Sequence, residues 1–336
     1  MRKWLRRLGI GVATIVIAAL VAGSGFEWLG RRTAARDFPP PGTLVDIGGR
    51  RIHLDCRGSG TPVVVLVSGL DTGGAMAWSA VHDSLAATTR TCAYSRAGIM
   101  WSDAATGPTT AKGVADDLHA ALGAAGERAP YVMVGHSLGG PYIMTYTKYF
   151  GPEVSGVVMV DASHPDQLET LGRIAPAAAN PSMTPLKVAA AFSWAGVVRI
   201  ATGATPAMPN QSPEVVRAIA AYASHSIDGA LKELDALGGT LAEAGTMRQL
   251  GDRPLVVLTA LKPMTEAELA TLKITPELGR EFKAAWRAMH DDEATWSTRS
   301  EHRVLEDASH YIQYDRPDVV IQSVRSVVDS VRQDRP

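Results

Sequence analysis

Apolar and polar positions change their spacing repeatedly along this chain. From about residue 43 onward, short apolar runs alternate with segments in which apolar residues recur every three to four positions. The first spacing is typical of buried strands and the second of amphipathic helices. The strand-like runs are RRIHLDC, PVVVLVSG, TRTCAYS, PYVMVGHS, VSGVVMVD, RPLVVLTA and HRVLEDASH. Because strands and helices alternate, the pattern predicts an α/β fold with a mostly parallel sheet covered on both faces.

The strand pattern lapses in the middle of the chain. Residues 163–250 are rich in alanine and contain helix-compatible segments such as SPEVVRAIAAYASHSIDGALKELDALGG. Helices inserted between two strands of one sheet are expected to form a cap over its carboxyl edge. The pattern therefore divides the chain into a core, residues 41–162 and 251–336, and a helical cap, residues 163–250.

The N-terminal segment has a different pattern. Four basic residues, Arg2, Lys3, Arg6 and Arg7, precede an uncharged stretch over residues 8–26. About 20 apolar residues span a bilayer, and a basic end followed by an apolar run is typical of a membrane anchor or a signal peptide. An uncleaved anchor is the first hypothesis and a cleaved signal peptide the second. Both place the remaining chain outside the cytoplasm, in the second case as a secreted or periplasmic protein.

The segment after the apolar run, RRTAARDFPPPGTLVD, is polar and rich in proline. It has neither helical nor strand periodicity, so it predicts an irregular tether. Residues 1–40 are accordingly assigned to the anchor and tether rather than to the fold.

Composition narrows the functional classes. Of 336 residues, 46% are hydrophobic and 20% charged, which is ordinary for a globular protein, and the formal net charge is −1. Without a basic surplus the chain is not expected to bind nucleic acid. His, Cys and Asp do not occur at metal-ligand spacing, so neither a metal nor an organic cofactor is expected.

The turn GHSLG, residues 135–139, follows an apolar strand and precedes a helical pattern. Gly-x-Ser-x-Gly in this context places a serine on a sharp turn, where its hydroxyl projects above the sheet. Ser137 is therefore the candidate nucleophile. The backbone N–H of Leu138 is the first candidate donor to an oxyanion.

Together with GHSLGG, the segments SGLDTGG and DASHYIQYDRP resemble the α/β-hydrolase superfamily over about residues 43–333. HLDCRGSGTPVVVL, CAYSRAG, GHSLGGPY and VVMVDASHP resemble exported or membrane-anchored bacterial hydrolases of that superfamily. The resemblance implies an eight-stranded sheet, a helical cap inserted after strand 6 and a serine-hydrolase mechanism. It does not imply a substrate.

A serine hydroxyl needs a general base, which is nearly always histidine. His310 stands before the last helix, where the family keeps its catalytic histidine. His136 is adjacent to the nucleophile in the turn and is expected to pack near the site. His53, His82 and His119 are expected to be structural or on the surface.

The acid of the triad is the least determined member. In most of the superfamily it follows strand 7, but here Lys262-Pro263-Met264 occupies that position. The first carboxylate beyond it, Glu266, lies at a helix start. Some members carry the acid after strand 6, and Asp161 ends that strand. Asp161 is therefore predicted as the acid, with Glu266 as the alternative.

The resemblance also implies a second oxyanion donor in the loop after strand 3. Leu70 is the expected donor and Gly69 the alternative, with Ser68 where the family often has histidine. Ser95 and Met100 depart from the usual aspartate and glycine of the loop after strand 4.

Two cysteines, Cys56 and Cys92, fall on strands that are neighbours in the superfamily's sheet order. Adjacent strands bring α-carbons near disulfide distance, and exported proteins form disulfides. A Cys56–Cys92 disulfide is therefore predicted, with two free thiols as the alternative.

These features together predict a serine hydrolase of carboxylic esters with a small, hydrophobic substrate. Met183, Trp194 and Met208 either line an apolar pocket or form the core of the cap. An amidase, an aminopeptidase or a lactonase would use the same triad, and an aminopeptidase would need a cap carboxylate such as Glu214 or Glu233 to hold an amine. Dehalogenases and epoxide hydrolases of this fold use an aspartate nucleophile, which Ser137 argues against. A non-catalytic anchored binding protein is the alternative from a different class.

Overall fold

The computed structural model describes residues 2–179, 183–203 and 206–334. Eight strands form one sheet: β1 (Thr43–Asp46), β2 (Arg51–Arg57), β3 (Val63–Val67), β4 (Thr91–Ser95), β5 (Tyr131–His136), β6 (Val154–Val160), β7 (Leu255–Ala260) and β8 (Ser300–Leu305). Their order across the sheet is β1-β2-β4-β3-β5-β6-β7-β8. β2 is antiparallel to both of its neighbours, and the pairs from β4 to β8 are parallel. The predicted mostly parallel, eight-stranded sheet is confirmed.

The helices lie on both faces of this sheet and at its carboxyl edge. They are α1 (Arg2–Asp37), α2 (His82–Ala86), α3 (Ala111–Ala124), α4 (Gly139–Phe150), α5 (Gln167–Ile174), α6 (Pro176–Ala179), α7 (Thr184–Ala191), α8 (Val197–Thr202), α9 (Pro213–Asp235), α10 (Leu237–Ala244), α11 (Glu266–Leu272), α12 (Pro276–Glu293), α13 (Ile312–Asp315) and α14 (Pro317–Gln333). α5 to α10 lie between β6 and β7 and are called the cap below, while α11 and α12 form a second excursion between β7 and β8.

The central position of β3 in the sheet explains why its sequence is apolar throughout. Val63, Val65 and Val67 belong to a core beneath α3 and α4. Val64 and Leu66 belong to a second core that includes residues of α2 and α14. Because successive side chains of a strand point to opposite faces, a strand covered on both sides has no polar position.

The segment predicted as an irregular tether differs from that expectation. α1 continues to Asp37, and Thr43–Asp46 form the edge strand β1. Glu27 and Ala34 of α1 are only 2% and 3% exposed, because this half of the helix packs on the cap. The local pattern could not predict this helix, since the surface that stabilises it comes from residues far away in the chain.

The disulfide is present in the structure. Cys56 of β2 lies opposite Cys92 of β4, and an S–S bond of 2.06 Å joins them. It links an outer antiparallel strand to the parallel part of the sheet.

Candidate active site

Ser137 lies on the turn between β5 and α4, near the middle of the sheet. Its φ is 51°, a left-handed conformation that is rare for residues other than glycine. The neighbouring glycines make the turn possible. A side chain on Gly139 would collide with the carbonyl oxygen of Val67, and one on Gly135 would lie 2.7 Å from the backbone of Gly139. This strained strand-to-helix turn is the structure that the GHSLG sequence predicts.

His310 follows β8 and is paired with a carboxylate from the end of β6. Its Nδ1 lies 2.7 Å from Oδ2 of Asp161. The His310 side chain is 41% exposed, while that of Asp161 is 3% exposed. If Nδ1 donates to the carboxylate, Nε2 of the same ring remains available as a proton acceptor.

Three groups hold Asp161. Besides the contact with His310, Oδ1 accepts hydrogen bonds from the Ala260 amide at 2.8 Å and from Nε1 of Trp286 at 2.9 Å. Burial alone would raise the pKa of this carboxyl, but the hydrogen bond and charge of His310, the His290 charge and the Ala260 amide outweigh burial. The pKa of Asp161 consequently lies below its ordinary value, so the carboxylate is ionised near neutral pH.

The alternative acid, Glu266, has a different environment. It is an exposed residue in the first turn of α11. The same helix begins with a capping box, in which Thr265 and Glu268 exchange hydrogen bonds. Among the described residues, the carboxylate that contacts His310 is Asp161, and Glu266 makes no such contact.

His136 packs beside His310, as expected for a residue next to the nucleophile. Its Nε2 lies 2.9 Å from the carbonyl oxygen of His310, and the two rings are 4.8 Å apart. Burial and the nearby charge of His310 lower the pKa of His136 to about 3. A neutral His136 therefore donates to this carbonyl and helps to hold the loop that carries His310.

The three histidines expected to be structural or on the surface lie outside the pair. His53 is buried between Ser95 and Pro41, with Nδ1 3.1 Å from the Ser95 hydroxyl. His119 stacks on Phe150. His82 is buried, with Nε2 3.1 Å from the carbonyl oxygen of Thr91. None of the three contacts the Asp161–His310 pair within the described part of the chain.

The loop after β3 lies directly against the nucleophile. A side chain on Gly69 would come 2.7 Å from Cβ of Ser137. The guanidinium of Arg96 donates to the carbonyl oxygens of Ser68, at 2.7 Å, and Gly69, at 2.6 Å. In a trans peptide the N–H points away from the carbonyl. The contact at Gly69 therefore directs the Leu70 N–H away from Arg96.

Arg96 is in turn held by the cap. Its Nε and Nη2 donate to the Glu233 carboxylate of α9 at 2.6 and 2.8 Å, and both side chains are buried. Burial opposes the charge of Arg96, but Glu233 holds its pKa above the ordinary value. The same pair makes Glu233 unavailable to the amine of a substrate. Glu214, the other cap carboxylate considered, is exposed at the start of α9.

Asp71 immediately follows the predicted oxyanion donor. Its Oδ1 accepts from the amides of Gly73 and Gly74 at 2.7 and 2.8 Å, which fixes the turn after Leu70. Burial raises the pKa of Asp71 to about 6, against the opposing charge of Arg96. Asp71 and Asp161, which both follow strands of the sheet, thus have pKa values shifted in opposite directions.

Met100 anchors the cap beside this loop. The resemblance implies glycine at this position, and the φ of 52° also favours glycine. Met100 is nevertheless fully buried, and its amide donates to the hydroxyl of Ser226 in α9. The departure from glycine is accommodated by contact with the cap.

A cavity of about 480 Å³ opens beside His310. Its wall comes mainly from the excursion after β7, and the lining includes Met264, Ala267, Leu272, Phe282 and Trp286. The cap residues named from the sequence do not line it. Met183 packs on the small core of the cap, Trp194 is 46% exposed, and Met208 precedes α9. The apolar wall next to His310 is therefore provided by α11 and α12.

Sequence reasoning missed Trp286 altogether. It occupies one apolar position in an amphipathic helix, and such a position carries no sign that the indole N–H reaches a carboxylate 125 positions away. Its role could be recognised only once α12 was placed against the end of β6.

Potential metal ligands converge at one place within the described ranges. Cys56, Cys92 and Glu127 lie close together, but both sulfur atoms are bonded to each other and Glu127 is paired with Arg90. Neither the sulfurs nor the carboxylate is free to coordinate an ion, so this group does not form a metal centre.

Comparison with known proteins supplies the family. A model described as the alpha/beta hydrolase family matches residues 64–323, which includes Ser137, Asp161 and His310. The chain belongs to the α/β-hydrolase family. The fold class inferred from the sequence is thereby confirmed, and the chain is assigned to a superfamily of hydrolases.

Solved structures of this fold resemble the chain at low sequence identity. An esterase from Thermogutta terrifontis is 20% identical, with a TM-score of 0.57, 86% of this chain covered and 97% of that one. A meta-cleavage product hydrolase from Pseudomonas fluorescens is 14% identical, also with a TM-score of 0.57, and the coverage is 88% and 99%. An enzyme that degrades N-acyl homoserine lactones is 20% identical, with a TM-score of 0.55 and coverage of 84% and 99%. At these identities the likeness concerns the fold.

Curated relatives match only segments of the chain. A protein of Hormonema carpetanum named as a probable transporter is 36% identical over 130 residues, which are 36% of this chain and 18% of that protein. An uncharacterised protein of Bacillus subtilis is 22% identical over 169 residues, half of this chain and 52% of its own length. The matched segments thus span less than two thirds of these relatives.

Proposed function

We propose that this protein is a serine hydrolase that cleaves carboxylic esters through an acyl-enzyme. The observation that carries the proposal is the 2.7 Å contact between His310 Nδ1 and the buried carboxylate of Asp161. This pair lies next to the strained turn that presents Ser137, because His136 of that turn contacts the His310 backbone. Nucleophile, base and orienting acid then have the roles of a Ser-His-Asp triad.

The proposed reaction has two halves. The Ser137 hydroxyl attacks the ester carbonyl, Nε2 of His310 takes its proton, and Asp161 stabilises the imidazolium through Nδ1. The amides of Leu138 and Leu70 donate to the oxyanion. His310 then protonates the departing alcohol. In the second half, His310 takes a proton from water as the water attacks the acyl carbonyl, and it returns that proton to Ser137 as the carboxylic acid is released.

Two observations favour esters over substrates with a free amine. Glu233 is already paired with Arg96, and the cavity beside His310 has an apolar wall of Met264, Ala267, Leu272, Phe282 and Trp286, with Glu268, Thr271 and Lys283 also in its lining. Such a wall suits the acyl or alcohol part of a hydrophobic ester. Lactones are internal esters, and because one structural neighbour degrades N-acyl homoserine lactones, they belong in the same substrate screen.

We also propose that α1 is retained as a membrane anchor with the hydrolase outside the cytoplasm. The helix is long and apolar enough to cross a bilayer. The C-terminal half of α1, the outer half in this orientation, packs on the cap, where Glu27 is paired with Arg199 at 2.9 Å. Cleavage at VAGSG would remove the contact between Gly23 and Ala195. The membrane fraction should therefore contain a chain whose mass and N-terminal peptide include residues 8–26.

The catalytic proposal is tested by active-site labelling. A fluorophosphonate probe should label the solubilised chain on Ser137, and Ser137→Ala and His310→Ala should each abolish labelling. Ser309→Ala, next to the histidine, is the matched control and should leave labelling intact. The same preparations are assayed on p-nitrophenyl esters of increasing chain length, lactones and aminoacyl-p-nitroanilides.

The outcomes separate the alternatives. Hydrolysis of esters that requires Ser137 supports the proposal, and faster cleavage of anilides than of esters contradicts the substrate class. A folded chain that is neither labelled nor active on any of these substrates would favour the anchored binding protein instead.

A further inference from the structure

Large apolar side chains are exposed in two places that lie against each other. One is α1, where residues such as Ile15 and Val21 are 70% and 68% exposed. The other is a surface of the cap, which we name the cap patch: Val188, Phe192, Trp194, Val197 and Ile200, each between 44% and 70% exposed. In the rest of the described chain this class is represented by Tyr149, at 39%.

The cap patch is not the outside of an incomplete core. Ala190 and Val198, from the same two helices, are 7% and 4% exposed and pack with Ala223, Ile227 and Leu231 of α9. The patch therefore occupies surfaces of α7, α8 and the short connection between them that the cap's own packing does not use. Contiguous apolar side chains on such a surface mark a site of interaction.

The contacts between the cap and α1 locate the patch along the helix. Gly23 lies so close to the carbonyl of Ala195 that a side chain there would collide with it, and Phe26 lies against Gly196. Arg199 donates to Glu27 at 2.9 Å. The turn that carries Trp194 thus touches the outer end of the uncharged stretch, residues 8–26.

The outer end of this stretch has residues typical of a membrane interface. Trp28 lies under the guanidinium of Arg32, which is 3.9 Å from the ring centroid. Tryptophan is enriched at that level, and an arginine near a helix end extends its charge to the interface. At a rise of 1.5 Å per residue, Gly23 lies about 7.5 Å deeper along the helix than Trp28. Interfacial helices bury their apolar faces about 5–10 Å below the headgroup boundary.

We propose that the cap patch inserts into the outer leaflet of the bilayer that α1 crosses. This inference rests on the proposed retention of α1. The occupant is lipid because the patch is continuous with a helix whose own apolar surface needs lipid. The cations on the patch helices, Arg199 and Lys187, are already paired with Glu27 and Asp235, so we expect insertion of the patch itself to depend on apolar contact and not on anionic headgroups. The cap is thereby held where esters dissolved in the membrane are concentrated.

The test uses the full chain in vesicles and a depth-sensitive label. The two native cysteines are bonded to each other, so an introduced cysteine is the free thiol available to an NBD fluorophore. Ile200→Cys and Phe192→Cys report on the patch. Tyr149→Cys is the matched control, since Tyr149 is also an exposed large residue and lies on α4, away from the cap patch.

In phosphatidylethanolamine–phosphatidylglycerol vesicles, the labels at 192 and 200 should emit at shorter wavelength than the label at 149. Brominated acyl chains should quench them at least several-fold more strongly. Replacing phosphatidylglycerol by phosphatidylcholine should leave this difference unchanged. The measurement needs no turnover and is repeated with Ser137→Ala, so loss of catalysis and loss of docking are distinguishable.

Two results would overturn the inference. The labels at 192 and 200 could be as exposed to water as the label at 149, in which case the patch lies clear of the membrane. They could also be shielded from water yet resist quenching by brominated lipid, in which case a second copy of the chain or another protein covers the patch.

Discussion

The ends of β6 and β7 are neighbours at the carboxyl edge of the sheet, and each carries a carboxylate within a few residues. After β6, Asp161 is buried, accepts two hydrogen bonds on one oxygen and contacts His310 with the other. After β7, Glu266 is exposed on the first turn of α11. Both residues are carboxylates that follow neighbouring strands, so what distinguishes Asp161 from Glu266 is the set of groups around each side chain. An acid can orient a histidine only where donors hold it ionised and fixed.

The end of β7 has a different use. Its excursion supplies Met264, Ala267 and Leu272 to the cavity beside His310, and its second helix supplies Trp286 to both the cavity and Asp161. With Asp161 proposed as the acid, the segment after β7 is available to form the apolar wall beside His310.

The largest predicted effect comes from removing the negative charge of the carboxylate that follows each strand, β6 or β7. Asp161→Asn keeps an oxygen for the Ala260 and Trp286 donors but removes the charge that stabilises the imidazolium. We expect kcat for p-nitrophenyl esters to fall by about 10³–10⁴, as for the acid of other triads. Glu266→Gln should change kcat less than twofold. Full activity of Asp161→Asn together with an inactive Glu266→Gln would reverse the assignment of the acid.

The second prediction concerns the donor that α12 provides. Trp286→Phe removes the indole N–H and retains most of the ring, and a hydrogen bond to a charged group contributes about 1.5–3 kcal/mol. We expect kcat/KM to fall at least about tenfold. The acid limb of its pH profile should move to higher pH, since a carboxylate with one donor fewer takes up a proton more readily.

The matched control for this variant is another tryptophan. Trp296→Phe removes an equally buried indole that donates to Asp292 at 3.0 Å, away from His310. Its pH profile should stay unchanged. A profile for Trp286→Phe that matches the Trp296→Phe profile would mean that the α12 contact only fills space.

The third prediction tests the substrate wall after β7. Ala267→Trp places a large ring in the cavity, so KM for long-chain p-nitrophenyl esters should rise about five- to tenfold, the scale of burying one or two methylene groups. KM for the acetate should change little. Ala270→Trp, on the same helix but outside the cavity lining, serves as the control. Equal effects of both variants on acetate and long-chain esters would place the acyl chain elsewhere.

The smallest effect concerns stability and extends the comparison to the end of β3. The pKa of Asp71 is raised to about 6, so the folded chain binds a proton that the unfolded chain releases between about pH 4 and 6. This residue's contribution to stability is therefore present below pH 4 and is lost as the pH rises through 6. Asp71→Asn keeps the acceptor for Gly73 and Gly74 without the charge.

Unfolding of the detergent-solubilised chain in urea measures this effect. At pH 8 Asp71→Asn should be more stable than the wild type by about 1–2 kcal/mol, and near pH 4 the difference should be close to zero. Asp161 provides the opposite sign. Because the pKa of Asp161 is lowered in the folded chain, its contribution to stability is present at pH values above the pKa of the unfolded chain and is lost as the pH falls through the folded pKa. A difference for Asp71→Asn that is independent of pH would contradict the raised pKa.

Among the candidate residues, Ser137 could be predicted from a short-range pattern alone, while His310 was predicted from its place before the last helix in a chain that resembles the superfamily. A glycine-flanked serine between a strand and a helix has few alternative structures, and the spacing of GHSLG predicts the strained backbone of its turn. Asp161 could be selected only because no aspartate follows β7. Whether these three residues and the amides of Leu138 and Leu70 act as proposed stays a prediction for the labelling experiment.

The alternation of strands and helices, the parallel sheet and the serine turn were determined by the sequence itself, because each rests on local periodicity or on a motif with one structural solution. The cysteine pairing was predicted from the sheet order that the resemblance to the superfamily implies. The tertiary structure decided which surfaces meet. It extended α1 through the expected tether by packing Glu27 and Ala34 on the cap, and it brought Trp286 to Asp161. It also moved the apolar wall from the cap to α11 and α12. These contacts join residues distant in the chain, and no local pattern records the partner that a side chain will find when the backbone has folded.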